Sequence, residues 1–583
     1  MLGKRSDQHG LFEADHLYRD FVGRESFYVF VASQRGKLFR DEDFAKLYCL
    51  DNGCPSVPPS LLANALLLQT YDRVSDEEAK ARAEFDLRWK VALGIELDTR
   101  PFAKSTLQLF RSQLIIHEEV GAVFKKSLTF ARQTGYLKNR KIKVALDTSN
   151  ILGRGAVKDT YNLLADGIVK LVKVLGDLDG SKPEDWANAN DLSRYFTASS
   201  IKGEADIDWE NAKARQQFLQ GIVVDADRLL ETARQTLTKY LPDCDEYRRL
   251  TEAAELLSQL MLQDIERKPE GASIKEGVAK DRVVSVHDPE MRHGRKSKSK
   301  LFDGHKAAVA ADTGSELITA VAVLAGNAPD NEKALELVEQ SEQNAEVEVE
   351  ETIGDCAFGD GATRQQFSDA GRTLVAKVPD RPDTEQFPKQ DFEIDLEAMT
   401  CTCPAGEVCG TVTAGRKDRE GGTLKAGAFH FDPMTCTACP LRAQCVKAGP
   451  GKGRTVTLHP QEKLLQEARA FQKSEAFAPY RAERQVVEHR IARLMQLGMR
   501  QARYFGRAKT LFQLLMAATV ANLTLVAVKV GLMRPRGSKK GGLFAHLLAR
   551  LIAFMVALIL SVANIFRLNP SPLCSEAGCR LGF

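Results

Sequence analysis

The stretch Lys141–Asn150, KIKVALDTSN, constrains the rest of the chain more than any other. Ile142, Val144, Ala145 and Leu146 form a short apolar run, bounded by basic residues and by Thr-Ser-Asn, which predicts a buried strand. The run ends on Asp147. A carboxylate at the end of a buried strand costs free energy unless a partner side chain or a bound cation neutralises it. Aspartate is also a common turn former there, and the stretch alone favours that plainer reading. Two further carboxylates bear on the choice. Asp355 closes a second predicted strand, Val347–Ile353, in IGDCAFGDG, and Glu488 lies on a predicted helix, Tyr480–Gly498, beside the apolar face of Val487, Ile491 and Leu494. Asp360, flanked by Gly359 and Gly361, competes with Asp355 but reads better as a turn or helix cap.

At 583 residues the chain is too long for one core, and 44% hydrophobic with 27% charged residues makes it globular. A net charge of +3 says nothing of partners, so any anion-binding argument rests on local clusters. The first residues lack the apolar run of a signal peptide, which predicts a cytoplasmic and not a secreted protein.

Residues 1–40 read as an N-terminal arm, with a short strand or helix at Phe27–Val31. Residues 41–135 read as helical, with Pro58-Pro59 opening one helix and a capping box at Ser75–Glu78 opening the next, which would carry Phe85, Trp89 and Leu93 on one face. Short helices of this kind suit a DNA reader or an ordinary bundle. Residues 136–158 hold the first strand. Residues 159–280 form a helical insertion, with Phe218, Ile222, Leu229, Ala233 and Leu237 at helical spacing. Residues 268–300 read as a polar loop ending in Arg295, Lys296, Lys298 and Lys300, either a solvated run or a phosphate contact. Within 281–380, strands at His305–Ala311 and Leu317–Leu324 flank the hairpin signal Asp312-Thr-Gly-Ser, and alternating helices and strands follow. This order predicts an α/β fold with a mixed sheet, matching the ribonuclease H-like sequence of elements with one interruption. If the first and fourth strands are neighbours, Asp147 and Asp355 face one edge, and a helix packed there brings Glu488 to them.

Residues 381–475 are Cys-rich. Cys436, Cys439 and Cys445 with Cys403 form the favoured tetrad for a structural Zn²⁺, against a reading as reduced thiols in a loop. Cys401 and Cys409 lie close by. Residues 476–530 hold the glutamate helix and a following apolar helix. In 531–583, a basic linker precedes the apolar stretch Leu543–Phe566, for which a packed or oligomerising segment is favoured over a membrane span.

Taken together, VALDTS, IGDCAFGDGATR and RAERQVVEHRIARLMQLGMRQARYFGRAK resemble, in order, the three signatures of the insertion-sequence DDE transposases. DPEMRHGRKSKSKLFDGHKAAVAAD and the segment from Phe39 to Ile95 are similar to the intervening and N-terminal parts of that family, so the likeness spans roughly residues 35–530. The resemblance implies catalysis by Asp147, Asp355 and Glu488 holding two Mg²⁺ (or Mn²⁺) ions, hydrolysis at the element's ends, strand transfer to target DNA, and at least a dimer on the terminal inverted repeats. It also implies DNA contacts from the glutamate helix. Arg484 keeps the family's spacing to Glu488, whereas Arg481 stands where a tyrosine is usual and Met495 where a basic residue is usual. Arg484 is either an intrahelical ion pair or a clamp on the DNA backbone. Arg490, Arg493, Arg500, Arg503, Arg507 and Lys509 would add a basic strip. A nuclease without strand transfer and a non-catalytic DNA-binding derivative remain the alternatives.

Overall fold

The computed structural model describes residues 1–5, 12–49, 52–197, 199–297, 299–379, 386–417, 423–449 and 451–534. Lys298 and the apolar stretch Leu543–Phe566 lie outside them.

The predicted strand around Asp147 exists and is longer than expected, β1 (Lys141–Leu152). It is central because its apolar residues alternate between two faces. Val144 and Leu146 join one hydrophobic cluster, and Ala145 and Ile151 join another. Around it stand β2 (Arg292–Ser297), β3 (Lys300–Asp312), β4 (Ile318–Ala325), β5 (Glu348–Ile353) and β6 (Thr373–Val375). β3 runs antiparallel to β1, with Asp147 opposite Val309. β2 and β4 pair antiparallel with successive parts of β3. On the other side β5 is parallel to β1 and β6 is parallel to β5. Leaving β2 aside, the order is third, second, first, fourth, fifth, so the first and fourth predicted strands are neighbours. The Asp312 turn forms as predicted, its carboxylate accepting from the Gly314 and Ser315 N–H groups. The polar loop does not: Arg292–Ser297 is an edge strand, held by backbone bonds to β3 that its basic side chains did not announce.

The N-terminal helices are α1 (Ala14–Val22), α2 (Phe27–Leu38), α3 (Pro59–Asp72), α4 (Asp76–Phe85), α5 (Leu87–Leu93), α6 (Lys104–Ile116) and α7 (Val120–Gln133). Ser75 caps α4, accepting from the Glu78 N–H, as its sequence predicts. The expected single helix through Leu93 is broken at Asp86, which caps α5 and leaves Phe85 exposed while Trp89 is fully buried. The first residues are not a bare arm: α1 and α2 form, and Phe27 and Phe30 sit in the core.

α8 (Thr160–Leu178), α9 (Ala212–Leu237) and α10 (Asp245–Asp264) build the predicted insertion around a core of their own that includes Ile168, Ile222, Leu229 and Leu257. α11 (Ala334–Ala345) and α12 (Gly361–Asp369) follow. Asp360 caps α12 through the Ala362 and Thr363 N–H groups, the cap reading of that residue. Residues 386–458 form two small three-stranded sheets, after which come α13 (Glu462–Lys473), α14 (Ala478–Leu494) and α15 (Arg507–Lys529). α15 is long and apolar enough to cross a membrane by length and composition, but it packs on α7, α3 and β4 with most of its residues buried, as a core helix does. One hydrophobic cluster runs from α2 and α3 through α15 to the Ala145 face of β1. The N-terminal helices and the sheet therefore share a core.

Candidate active site

The side chain at Asp147 follows from the alternation along β1. Ala145 and Ile151 join the cluster shared with α14 and α15, so the period of two puts Asp147 on that face. The register of β1 with β5 pairs Ala145 with Ile353. Asp147, inside β1, and Asp355, just beyond the end of β5, each stand two residues past that last pair. Asp355 then opens a short 3₁₀ turn, Cys356–Phe358, its carboxylate accepting from the Ala357 N–H at 2.8 Å. Gly354 makes this turn feasible, since a Cβ there would lie 2.7 Å from the Phe358 side chain. α14 packs across β1 and β3 with Val487 and Leu494 buried, which carries Glu488 to the same edge.

The electrostatics tie these groups together. Burial pushes the Asp147 carboxyl up from 3.8 to about 6, the Thr148 N–H draws it down, and the charges of Asp355, Arg484 and Glu488 act on it from nearby, the two carboxylates raising it and the arginine lowering it. The Thr148 N–H donates to Asp147 Oδ1 at 2.7 Å. Arg484 pairs with Glu488 at 2.6 Å, one turn away on α14. The charges of Asp355, Arg484 and Glu488 are thus all felt at Asp147. Among the described residues, however, no three His, Cys, Asp or Glu side chains are gathered closely enough to hold a metal ion. The donor set itself suits a hard cation, being all oxygen with two of its carboxylates raising the pKa of the third.

A titration test follows. The folded-state pKa of Asp147 is raised, so its contribution to stability is present below about pH 4 and is lost as pH rises through about 6. In a chelator-containing buffer, Asp147→Asn is expected to match the wild type at pH 4 and to exceed it by about 2 kcal/mol at pH 8. Urea unfolding at the two pH values checks this, and an equal gap at both would contradict it.

The predicted basic residues divide. Arg481, Arg500 and Lys509 are exposed, and Arg295 and Lys296 are exposed on β2. Arg493 donates to Gln496. Arg503 pairs with Asp76 of α4 at 3.4 Å, and Arg507 pairs with Glu290 at 3.0 Å. Arg490 does not belong to a surface strip: it is 7% exposed and donates to the Ala521 carbonyl of α15. Three residues after Val487 and four before Leu494, it lies on the buried face. Tyr480, one place off the family's tyrosine, donates to the Glu351 carboxylate and lies under Lys143.

Sequence reasoning missed how the loop after α14 is anchored. Gly498, at φ 98°, turns the chain out of α14. Leu152 at the end of β1 then bonds Arg500 and Ala502 through the backbone. Arg154 lies over the Phe505 ring and donates to the Arg503 carbonyl. Tyr504 is sandwiched between Arg111 and Arg503, while Arg111, Gln69 and Gln108 hold the Asp76 carboxyl well below the usual range. The aromatic-rich run YFGR was the available signal; the partners, hundreds of residues away, gave none.

In residues 386–458, Cys403, Cys436, Cys439 and Cys445 line one pocket together with Phe387, Arg442 and Arg454. Cys401 and Cys409 are register partners on adjacent antiparallel strands, both buried in the small core with Phe392 and Phe429.

The fold is a mixed α/β sheet flanked by helices, and on it the charges of Asp355 and Glu488 act on Asp147. Two family models match the chain: a transposase DDE domain over residues 402–527 and a transposase domain of the DUF772 family over residues 18–113. No curated protein and no solved structure matches it. The two matches, one on the N-terminal helices and one containing Glu488, support an insertion-sequence DDE transposase.

Proposed function

We propose that the protein is the DNA transposase of an insertion sequence, hydrolysing phosphodiester bonds at the element's ends and joining the freed ends to target DNA. The observation that supports this is that Asp147 on the central strand feels the charges of both Asp355 and Glu488, in a sheet whose first and fourth predicted strands are neighbours. Asp147, Asp355 and Glu488 would hold Mg²⁺ or Mn²⁺, two ions per site, and bound ions of this kind activate a nucleophile and stabilise the leaving oxygen in phosphodiester displacement. The chain's own residues do the positioning. β1 carries Asp147, the turn after β5 carries Asp355, α14 carries Glu488, and Arg484, paired with Glu488, would contact the DNA backbone. Arg481, Arg500, Lys509, Arg295 and Lys296 supply unburied cations for the DNA backbone, with Lys298 outside the described residues. Synapsis of two ends calls for at least a homodimer on DNA, and the site of action is the cytoplasm, at the nucleoid.

Transfer of a labelled element end into a plasmid tests the reading. Joined products are expected with the wild type. Cleaved but unjoined ends would favour a ribonuclease H-like nuclease instead, and binding without cleavage a non-catalytic transposase derivative.

The same proposal includes a structural Zn²⁺ held by Cys403, Cys436, Cys439 and Cys445. It is supported by their common pocket and by the small apolar core around them, which burial alone stabilises poorly. Metal analysis of the purified chain is expected to give one zinc per chain, dropping to none in Cys436→Ser; a zinc-free wild type would count against it.

A further inference from the structure

α1 buries Ala14 and Asp15 but leaves large apolar side chains open to solvent along the same stripe as Ala14, Leu17 three and Phe21 seven residues after it. Leu17 is 52% exposed and Phe21, one turn on, 82% exposed. Phe12 just before the helix and Phe85 at the end of α4 are exposed as well. Phe85 stands two residues before Leu87, which packs against the same small cluster of Ala14, Val29, Ala32 and Val91 as Tyr18 and Val22 of α1. Single exposed apolar residues are ordinary, whereas two bulky ones a turn apart on one short helix mark a surface that something covers.

The path of the chain says what. The described residues end at Arg534, whose N–H donates to the Glu25 carbonyl at 3.0 Å and whose guanidinium pairs with the Glu25 carboxylate. Glu25 is in the connection between α1 and α2, four residues after Phe21, so the last described residue sits at the end of α1. Beyond it come eight residues, PRGSKKGG, and then Leu543–Phe566, in which Arg550 is the one Asp, Glu, Lys or Arg. Eight extended residues reach about 27 Å, and a nine-residue helix is about 13 Å long, so the apolar segment can reach all of α1. A short tether also gives it a local concentration in the millimolar range, above that of any free competitor.

We propose that Leu543–Phe566 of the same chain docks on the Leu17–Phe21 face of α1, making the C-terminal apolar segment an intramolecular cover for the N-terminal helices. This goes beyond the transposase reading and does not depend on it. A second copy seated on the same face, or a lipid surface taking up the segment, are the competing occupants.

The test uses the full chain with Phe21→p-benzoylphenylalanine, irradiated at submicromolar concentration and mapped by mass spectrometry. Cross-links from position 21 to residues 543–566 are expected, on a product running as a monomer in a denaturing gel. They are expected to fall at least tenfold when Leu551→Asp and Leu558→Asp are added. A cross-linked dimer, a lipid adduct, or no cross-link overturns the proposal. Hydrogen exchange provides a second readout without the photoprobe. The amides of residues 14–22 are expected to exchange at least tenfold faster in the Leu551→Asp/Leu558→Asp chain than in the wild type, and equal rates overturn the proposal.

Discussion

Glutamine in place of Glu488, or asparagine in place of Asp147 or Asp355, is expected to lower cleavage of DNA carrying the element's own ends on the order of a thousandfold in Mg²⁺. Each substitution keeps the side chain's size and removes one negative charge from the proposed ion site, where Asp355 and Glu488 act on Asp147. A cation bound by carboxylates contributes several kcal/mol of transition-state stabilisation, and about 4 kcal/mol corresponds to a thousandfold in rate. Folding is expected to survive in all three variants. Glu488 is paired at the surface of α14, Asp355 has its main local role in a short turn, and Asp147 loses a charge that is costly where it stands. Gel-resolved cleavage with circular dichroism of the same preparations separates lost chemistry from lost structure. Cleavage by Glu488→Gln within tenfold of wild type would take that residue out of the mechanism.

The second large effect is on stability. Asn522 of α15 is fully buried, and its amide clasps both backbone groups of Ile318: the Ile318 N–H donates to Oδ1 at 2.9 Å, and Nδ2 donates to the Ile318 carbonyl at 2.8 Å. Nδ2 also reaches Ser127 Oγ of α7 at 3.3 Å. Ile318 starts β4, next to a register shift against β3. The side chain thus completes the strand's hydrogen bonding and joins it to an N-terminal helix. Asn522→Leu keeps the volume but strands a buried N–H and a buried carbonyl, at a cost of about 3–5 kcal/mol for the pair. The urea midpoint is expected to fall accordingly; a loss under about 1 kcal/mol would show that the clasp is dispensable.

What the sequence made legible is what local chemistry decides. The apolar run before Asp147, the caps at Ser75 and Asp360 and the Asp312 turn depend on a few neighbouring residues, and they formed as expected. That the first and fourth predicted strands are neighbours, which the proposed site of Asp147, Asp355 and Glu488 requires, was legible from the order of elements. Arg490 was misplaced because charge was read ahead of period: its spacing from Val487 and Leu494 already put it on the buried face. β2 was missed because an edge strand is specified by its partner's backbone as much as by its own side chains. The anchoring of Arg503 and Arg507 was out of reach, since Asp76 and Glu290 meet them only after the N-terminal helices share a core with the sheet.

Iron-directed cleavage of the polypeptide addresses the divalent-ion site most directly. Fe²⁺ substituted at such a site, with ascorbate and peroxide, cuts the backbone beside the groups that hold it. Three cuts are predicted, near Asp147, Asp355 and Glu488, all suppressed together by excess Mg²⁺ and all lost in Asp355→Asn. Cuts confined to one of these segments, or to other parts of the chain, would contradict a single site built by the three carboxylates.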